Sequence, residues 1–402
     1  MLPFFLWHPL LFLYRFWRIE FWDSTIPKVI LEIKIPKEVI KPIKAMEHVF
    51  AGFHSIHDVM TWREIWIEGQ FQLRFTLEIV SLGGEIHFYI RVPQRFRDII
   101  ESNIYSQYPE AEISEVPDYT LNIPSDIPNK DWDLWGTDIV NTKPDPYPIK
   151  TYTKFEAEVQ PVEEKRIDPM AGLLEGMSVL KPGEQLWVQM VVKPIREQDK
   201  DWIAEGIKIR DKLARRPEKP KPKPMVQEAA EILAFGLEKP AEKEKELIPP
   251  EMKLTPGERD IIAGIEEKIT KFGFDCNIRY IYLAKRDVFF GPRARSPYGF
   301  FKEVSLENLG GFKPEKRTMT KVKSVFFWFL DKRRLYIRKR RIFRYYQRRW
   351  VPYFPRKGGT FVLNTEELAT LFHFPGKMVA PAPGVPRIEA KKGEATPGLP
   401  IE

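Results

Sequence analysis

The stretch FQLRFTLEIVSLGGEIHFYIRVPQRFRDIIESNIYSQYPEAEISEV, residues 71–116, contains several structural elements in direct succession. Apolar and polar residues alternate over residues 71–80 and again over residues 85–93, which is typical of strands with one apolar face. The pair Gly83-Gly84 between them is typical of a tight hairpin turn. The sequence therefore predicts a β-hairpin whose apolar face needs a cover.

The segments around this hairpin predict a fold of the α+β class. Residues 94–109 carry apolar side chains every three or four positions and predict a helix that covers the hairpin. Residues 111–116 predict another strand, and upstream residues 29–35 predict a strand and residues 45–53 a helix. The order β-α-β-β-α-β is that of a ferredoxin-like module, which we assign to residues 27–120.

Residues 130–290 predict a second, less regular α/β module with its own sheet, and a degenerate copy of the first module is one interpretation. This module is interrupted at residues 216–253 by a stretch rich in Pro, Lys and Glu. Such a composition buries too little apolar surface to offset the entropy of ordering, so it predicts a linker. The predicted elements are strands at 132–140, 150–159, 186–192 and 277–284 and helices at 168–180, 199–213 and from 255 onward.

Composition and charge restrict the class of protein. The chain has 402 residues, of which 43% are hydrophobic, so it is long enough for two or three globular domains. Its net charge of +8 predicts an anionic partner. The single cysteine, Cys276, excludes an internal disulfide and a cysteine-rich zinc site, fits a reducing cytoplasm, and is predicted to be a small apolar side chain within a strand.

The N-terminal residues 1–26 predict a membrane-associated segment. The apolar run at residues 2–14 is shorter than the about 20 residues that cross a bilayer, and the tryptophans and arginines around it are typical of the membrane interface. The residues assigned to that interface are Trp7, Arg15, Trp17, Arg18 and Trp22. Two alternatives remain open: the cytoplasmic end of a spanning helix whose start this chain lacks, and an apolar helix packed on the first module.

Residues 318–356 form a basic segment in which aromatic residues are interleaved with cations. Such a segment can bind phosphates while its aromatic rings stack on exposed bases, can lie on an anionic lipid leaflet, or can be a solvated helix whose apolar side packs on the core. The sequence leaves these alternatives open. Residues 324–330 are too short to span a bilayer and are predicted to pack. The candidate contact residues are Lys332, Arg333, Arg334, Arg338, Lys339, Arg340, Arg341, Arg344, Arg348 and Arg349.

Residues 360–376 predict a short capped helix, followed by a flexible tail at residues 377–402. Thr365 suits the N-cap position, and the acids Glu366 and Glu367 suit the first turn of a helix. The apolar face beyond them is predicted to dock a partner protein. The residues of this docking face are Leu368, Leu371 and Phe372.

The motifs of several enzyme classes are missing. The sequence contains no G-x-x-x-x-G-K-[ST] phosphate loop, no G-x-S-x-G, no H-E-x-x-H and no C-x-x-C. His48, His54 and His57 lie close together in sequence, but nearby acids are few, so a solvated or core histidine cluster is favoured over a metal site. We therefore predict no catalytic residues, no metal and no cofactor.

Four motifs in the chain resemble a known family. They are HFYIRVPQRFRDIIESNIYSQYPEAEI at 87–113, KPGEQLWVQMVV at 181–192, FGFDCNIRYIYLAKR at 272–286 and FVLNTEELATLFHFPG at 361–376. In this order they resemble an uncharacterised membrane-linked domain of small-genome bacteria, which is found in front of, or encoded beside, conjugative-transfer and type IV secretion ATPases. The resemblance implies a cellular context and carries no catalytic residues.

Together these features predict a non-catalytic, membrane-associated platform at the cytoplasmic face of the inner membrane. It would position a separate or fused motor ATPase of a type IV secretion or conjugative DNA-transfer system, with that ATPase and membrane lipids as partners. The alternative is a soluble nucleic-acid-binding protein that uses the basic segment.

Overall fold

The structure is a computed structural model that describes residues 2–36, 41–157, 168–196, 199–216, 254–324, 326, 328–351 and 359–375. The predicted linker at residues 216–253 lies outside the described residues apart from Arg216. The predicted tail at residues 377–402 also lies outside them.

Strands and helices are mixed along the described chain, and the predicted α+β class is confirmed. The strands are β1 (Lys28–Lys34), β2 (Phe75–Leu82), β3 (Glu85–Pro93), β4 (Glu112–Val116), β5 (Trp132–Asn141), β6 (Glu184–Ile195), β7 (Gly273–Lys285), β8 (Phe312–Pro314) and β9 (Phe361–Asn364). The helices are α1 (Leu2–Thr25), α2 (Lys44–Phe53), α3 (Arg97–Gln107), α4 (Tyr152–Ala157), α5 (Ala171–Ser178), α6 (Trp202–Leu213), α7 (Pro256–Thr270), α8 (Ser296–Glu303), α9 (Asp331–Gln347) and α10 (Thr365–Leu371).

The nine strands of the described residues form one antiparallel sheet. Its order is β4-β1-β3-β2-β6-β7-β5-β8, and β9 also pairs with β7. The prediction of a separate second sheet is therefore wrong. Strand β6 pairs with the whole of β2, from Phe75↔Val192 to Leu82↔Gln185, and this pairing satisfies backbone groups that a free β2 edge would leave without partners.

The strand order is symmetric about the junction of β2 and β6. Strands β1 to β4 are joined by a helix, a hairpin and a helix, and β5 to β8 follow the same plan, except that α6 and α7 are inserted between β6 and β7. When the four strands of each half are numbered 1 to 4 along the chain, their order from the outer edge of the sheet to the junction is 4-1-3-2 in both halves. The interpretation of the second half as a degenerate copy of the first stays a prediction.

The helices between the strands cover one face of the sheet. The apolar side chains of the hairpin, such as Leu77 and Ile90, lie in this core together with residues of α2, α3, α5, α8 and α10, so the apolar face predicted from alternation is confirmed. Cys276 of β7 is buried in the same core, as predicted, and burial raises the pKa of its thiol. The opposite face of the sheet is also buried, beneath α9.

One predicted strand is a helix. The sequence predicts a strand at residues 150–159, but Tyr152–Ala157 form α4. Tyr152 and Phe155 are both buried, and a spacing of three residues places two side chains on the same side in a helix, not in a strand. The backbone amide of Tyr152 also donates to Thr370 Oγ1 of α10 at 3.0 Å, so tertiary packing decides the conformation of this segment.

The start of α10 differs in detail from the prediction. Its N-cap is Asn364, not Thr365, and Asn364 forms a reciprocal capping box with Glu367. The first-turn position and capping role of Glu367 are therefore confirmed. Glu366 instead forms an ion pair with Lys271, with 2.5 Å between Oε2 and Nζ.

Helix α10 lies inside the protein. The side chains of Leu368, Leu371 and Phe372 are fully buried, because the pairing of β9 with β7 places the helix against α2. These side chains form part of the core, so the docking face predicted for them is wrong.

His373, just beyond α10, forms a buried ion pair with Asp168. Its Nε2 lies 3.0 Å from Asp168 Oδ1, and its Nδ1 lies 2.8 Å from the carbonyl oxygen of Ala369. Both ring nitrogens therefore face acceptors, which favours the doubly protonated imidazolium. Burial disfavours that charge, but the Asp168 carboxylate and the hydrogen bonds outweigh burial and raise the pKa of His373 above its ordinary value.

We predict that His373→Gln costs more stability at low pH than at high pH. A raised folded-state pKa means that the charged pair contributes fully below the unfolded pKa of about 6.5, and that the contribution is lost as the pH rises through the folded pKa. Urea unfolding of wild type and variant at about pH 6 and about pH 9 measures the difference. His48→Gln, at an exposed histidine, is the control. A pH-independent difference for His373→Gln would show that folding leaves the pKa of His373 unchanged and would contradict a charged pair with Asp168.

Candidate functional site

Helix α9, which carries eight of the ten candidate contact residues of the basic segment, covers the middle of the second face of the sheet. Its inner side chains Ile342, Phe343 and Tyr346 are buried, and the ring centroid of Tyr346 lies 5.2 Å from that of Trp187 in β6. A spacing of three and four residues places these side chains on one side of the helix. The basic helix is therefore packed on the core through one face, and only its other face is available for contacts.

A row of buried polar residues runs straight across the sheet beneath α9. Each residue of the row is the register partner of the next, and each comes from a different strand. The row consists of Glu32, Tyr89, Glu78, Gln189, Arg279 and Asp138. Sequence reasoning missed this row. The available signal was a polar residue within an apolar run, as with Gln189 in residues 186–192 and Arg279 in residues 278–284.

Glu78, in β2, has the most hydrogen bonds in this row. Its carboxylate accepts from Thr76 at 2.9 Å, Tyr119 at 2.7 Å, Gln189 at 2.9 Å and Arg349 at 3.0 Å. Burial alone would raise the pKa of Glu78, but Arg349 and the hydrogen bonds lower it below its ordinary value. Glu78 is therefore a buried carboxylate at the junction of the two halves of the sheet.

Arg349 supplies the positive charge that this carboxylate needs. It lies just beyond α9 with a φ of +51°, a left-handed conformation that is unfavourable for residues other than glycine. Its guanidinium contacts both Glu78 and Asp118, and the residue is only 4% exposed. The nucleic-acid or lipid contact predicted for Arg349 is wrong, because this side chain is committed to the interior.

The backbone at the end of α9 is tied to the sheet by two more side chains of the row. Arg279 Nη2 donates to the carbonyl oxygen of Trp350 at 2.7 Å, and Gln189 Nε2 donates to that of Tyr346 at 3.1 Å. These bonds anchor the helix to β6 and β7. They also determine which side of α9 faces outward.

The remaining candidate contact residues of the basic segment divide into half-buried and exposed ones. Lys339 Nζ lies 2.6 Å from Asp133 Oδ1, and Arg338 donates to the carbonyl oxygen of Met319 at 3.1 Å. Arg340 is half-buried and donates to the hydroxyl of Tyr336. The exposed cations are Lys332, Arg333, Arg334, Arg341, Arg344 and Arg348.

Helix α1 presents an exposed apolar stripe. Its side chains recur at three- and four-residue spacing, and Trp17 at the centre is 58% exposed. Within the described residues, no helix combines the length and the apolar character needed to cross a membrane. The stripe consists of Trp7, Leu10, Tyr14, Trp17 and Phe21, with Leu13 beside it.

The opposite side of α1 packs on the protein. The ring centroid of Phe16 lies 6.1 Å from that of Trp350, just beyond α9, and that of Trp22 lies 5.3 Å from that of Phe71. Helix α1 is therefore a neighbour of the C-terminal end of α9. Of the residues predicted at the membrane interface, Trp7 and Trp17 lie in the exposed stripe, whereas Arg15, Arg18 and Trp22 are partly buried.

A second exposed apolar group precedes α9. The sequence predicts that residues 324–330 pack on the protein, but Phe326, Trp328 and Phe329 are 83%, 73% and 63% exposed. The packing prediction is wrong because the buried residues of α9 all lie in its C-terminal half, from Ile342 onward. We call Phe326, Trp328 and Phe329 the aromatic tip.

The histidines just after α2 contact the end of β6 and the residues that follow it. His54 Nε2 lies 3.0 Å from the carbonyl oxygen of Ile195, and His57 Nε2 lies 2.7 Å from Asp199 Oδ2. In the part of the chain that the structure describes, no group of three or more His, Cys, Asp or Glu residues is arranged to hold a metal ion.

Comparison with known families identifies one match. A family model described as Domain of unknown function (DUF8128) matches residues 23–381. The match begins near the end of α1 and includes the sheet, α9 and α10. No curated protein matches the chain.

We predict that Arg349→Met lowers the free energy of unfolding by about 3–5 kcal/mol, because it leaves the buried Glu78 carboxylate without its cation. Urea unfolding monitored by circular dichroism measures the change. Arg341→Met is the matched control at an exposed position of the same segment, and it should change stability by less than about 0.5 kcal/mol. Equal effects of the two substitutions would contradict the structural role of Arg349.

Proposed function

We propose that this chain, which belongs to the family described as Domain of unknown function (DUF8128), is a non-catalytic, membrane-associated platform. It would act at the cytoplasmic face of the inner membrane, where it positions a separate or fused motor ATPase of a type IV secretion or conjugative DNA-transfer system. The observation that carries the membrane part of this proposal is the exposed apolar stripe of α1 beside the basic helix α9.

The composition of the stripe supports a lipid interface. Trp7, Tyr14 and Trp17 combine a large apolar ring with a polar N–H or O–H group, which suits the boundary between headgroups and acyl chains. The aliphatic side chains of Leu10 and Leu13 gain free energy only where water is excluded. A contiguous apolar patch of this kind is a mark of a membrane or protein contact in a soluble protein.

The outer face of α9 supports the same location. Its exposed cations lie on a helix whose only acid is Asp331. Each basic residue near an anionic leaflet contributes about 1 kcal/mol to binding. A basic helix beside an apolar stripe therefore combines the two forces that hold peripheral proteins on a membrane.

The motor part of the proposal rests on the resemblance of the four sequence motifs to the domain that accompanies transfer ATPases. The missing phosphate-loop motif supports a partner motor rather than an intrinsic one. The surface that would receive the motor is not α10, whose apolar side chains are buried.

The finer description of the fold is part of the same proposal. We assign a ferredoxin-like arrangement to residues 27–120, because β1, α2, β2, β3, α3 and β4 follow in the expected order and pair as β4-β1-β3-β2. The same strand plan in β5 to β8 supports a second such unit with a long insertion.

A second candidate function is a soluble nucleic-acid-binding protein. The exposed Arg333, Arg341 and Arg344 favour it, since arginines on one helix face can pair with successive phosphates, and Tyr336 could stack on a base. Binding to nucleic acid would not use the aliphatic residues of the α1 stripe. Membrane binding accounts for both surfaces.

We predict that Leu10→Ser with Trp17→Ser and Phe21→Ser lowers the membrane-bound fraction of the protein at least about tenfold, because each substitution removes apolar surface that lipid would bury. Fractionation of cells that express each protein measures this fraction. Phe272→Ser with Phe290→Ser, two exposed aromatics outside α1 and α9, is the control and should leave the fraction unchanged. Equal membrane recovery of the stripe variant and the wild type would remove the membrane part of the proposal.

We also predict that a transfer ATPase is encoded beside this chain and that it co-purifies with the chain from detergent-solubilised membranes. The ATPase should be recovered at similar yield with the wild type and with the control variant, since Phe272→Ser and Phe290→Ser replace exposed side chains and leave the core intact. Affinity purification followed by immunoblotting for the ATPase measures the recovery. Absence of the ATPase from the wild-type eluate, with both proteins present in the solubilised membranes, would contradict the platform role.

A further inference from the structure

The aromatic tip lies at the opposite end of α9 from helix α1. Trp328 begins a short 3-10 turn that runs directly into α9, whereas α1 contacts Trp350 just beyond the other end. A helix of the length Asp331–Gln347 is about 25 Å long. The tip is thus separated from the contact between α1 and Trp350 by the whole length of the basic helix.

The chemistry around the tip is cationic. Lys332 and Arg333 follow it after Leu330 and Asp331, and both cations are exposed. Tyr336 and Ile337, one turn further on, are 42% and 50% exposed and extend the apolar surface along the helix. The only acid of α9, Asp331, is engaged with the backbone amide of Ser324 at 2.8 Å.

We infer that the aromatic tip is a second membrane contact, which inserts into the interfacial region of an anionic leaflet while Arg333, Arg341 and Arg344 on the outer face of α9 bind lipid phosphates. This inference rests on the proposed function and specifies its lipid class. Exposed aromatic and aliphatic groups gain by leaving water, and phosphates of anionic headgroups complement the neighbouring cations. The outer face of α9 then lies along the leaflet between two points of insertion.

Lipid fits the tip better than nucleic acid does. Stacking on bases uses flat aromatic faces, whereas the exposed surface around the tip also contains the aliphatic Ile337, and the stripe at the other end of α9 contains Leu10 and Leu13. Aliphatic side chains contribute to binding in a bilayer through burial alone. A single lipid surface accounts for the apolar groups at both ends and for the cations between them.

Vesicle binding by the full chain tests this inference. The vesicles are phosphatidylcholine alone and phosphatidylcholine mixed with phosphatidylglycerol, and co-sedimentation gives the affinity for each. We expect the wild type to prefer the mixed vesicles, and Trp328→Ser with Phe329→Ser to weaken that binding at least about tenfold. Phe272→Ser with Phe290→Ser is the matched control and should bind as the wild type does. Circular dichroism checks that each variant is folded, and the tip side chains are exposed, so their loss leaves the core intact.

Depth of insertion gives an independent readout. Vesicles that contain brominated phosphatidylcholine quench nearby tryptophan fluorescence, so Trp328→Phe should remove part of the quenching while it preserves binding. Undiminished quenching in this variant would place Trp328 outside the bilayer and overturn the inference.

The outcomes separate this inference from the proposed function. Binding of the tip variant equal to that of the wild type, together with loss of binding by the α1 stripe variant, would overturn the tip contact and leave the membrane platform standing. No binding of the wild type to either vesicle would overturn both. Loss of single-stranded DNA binding in the tip variant, with vesicle binding unchanged, would assign the tip to nucleic acid instead.

Discussion

The buried carboxylate of Glu78 is the constraint on which the second face of this protein depends. A carboxylate beneath a helix and between two halves of a sheet is strongly unfavourable unless its charge and its lone pairs are satisfied. The groups that satisfy it come from distant parts of the chain: Tyr119 after β4, Gln189 in β6 and Arg349 beyond α9. The folded state must bring all of them to one place, so this charge links the two halves of the sheet to the basic helix.

The same interaction explains why the exposed surfaces have their present chemistry. Arg349 anchors the C-terminal end of α9 through its ion pair with Glu78. Gln189 and Arg279 anchor the same end by donating hydrogen bonds to backbone carbonyl oxygens, and the apolar residues of the helix then face the sheet. The cations that remain must point outward. Trp350, next to the anchored Arg349, contacts Phe16 of α1, so the buried charge also determines where α1 meets the end of the basic helix. The buried polar row in this sense organises the exposed surface around α9.

Local patterns predicted most elements of the fold because they report directly on burial. Alternation predicted the hairpin of β2 and β3, and helical spacing predicted α3. Helix α7 begins where the sequence predicts it, with Thr255 as its N-cap in a capping box. Helix α4 was missed because its conformation depends on packing against α10. The docking role of Leu368 was wrong for a related reason, since an apolar helix face indicates burial but not whether the cover is a partner or the rest of the same chain.

The sequence by itself determined the α+β class, the hairpin, the basic segment and the apolar N-terminal segment, because each depends on the period and composition of neighbouring residues. Only the tertiary structure decided that the two halves share one sheet, that Arg349 is buried while Arg341 is exposed, and that Trp328 is exposed rather than packed. These outcomes depend on pairings between residues far apart in the chain, such as Glu78 with Arg349. No local pattern records such a pairing, because the two charges look the same in sequence whether they face water or each other.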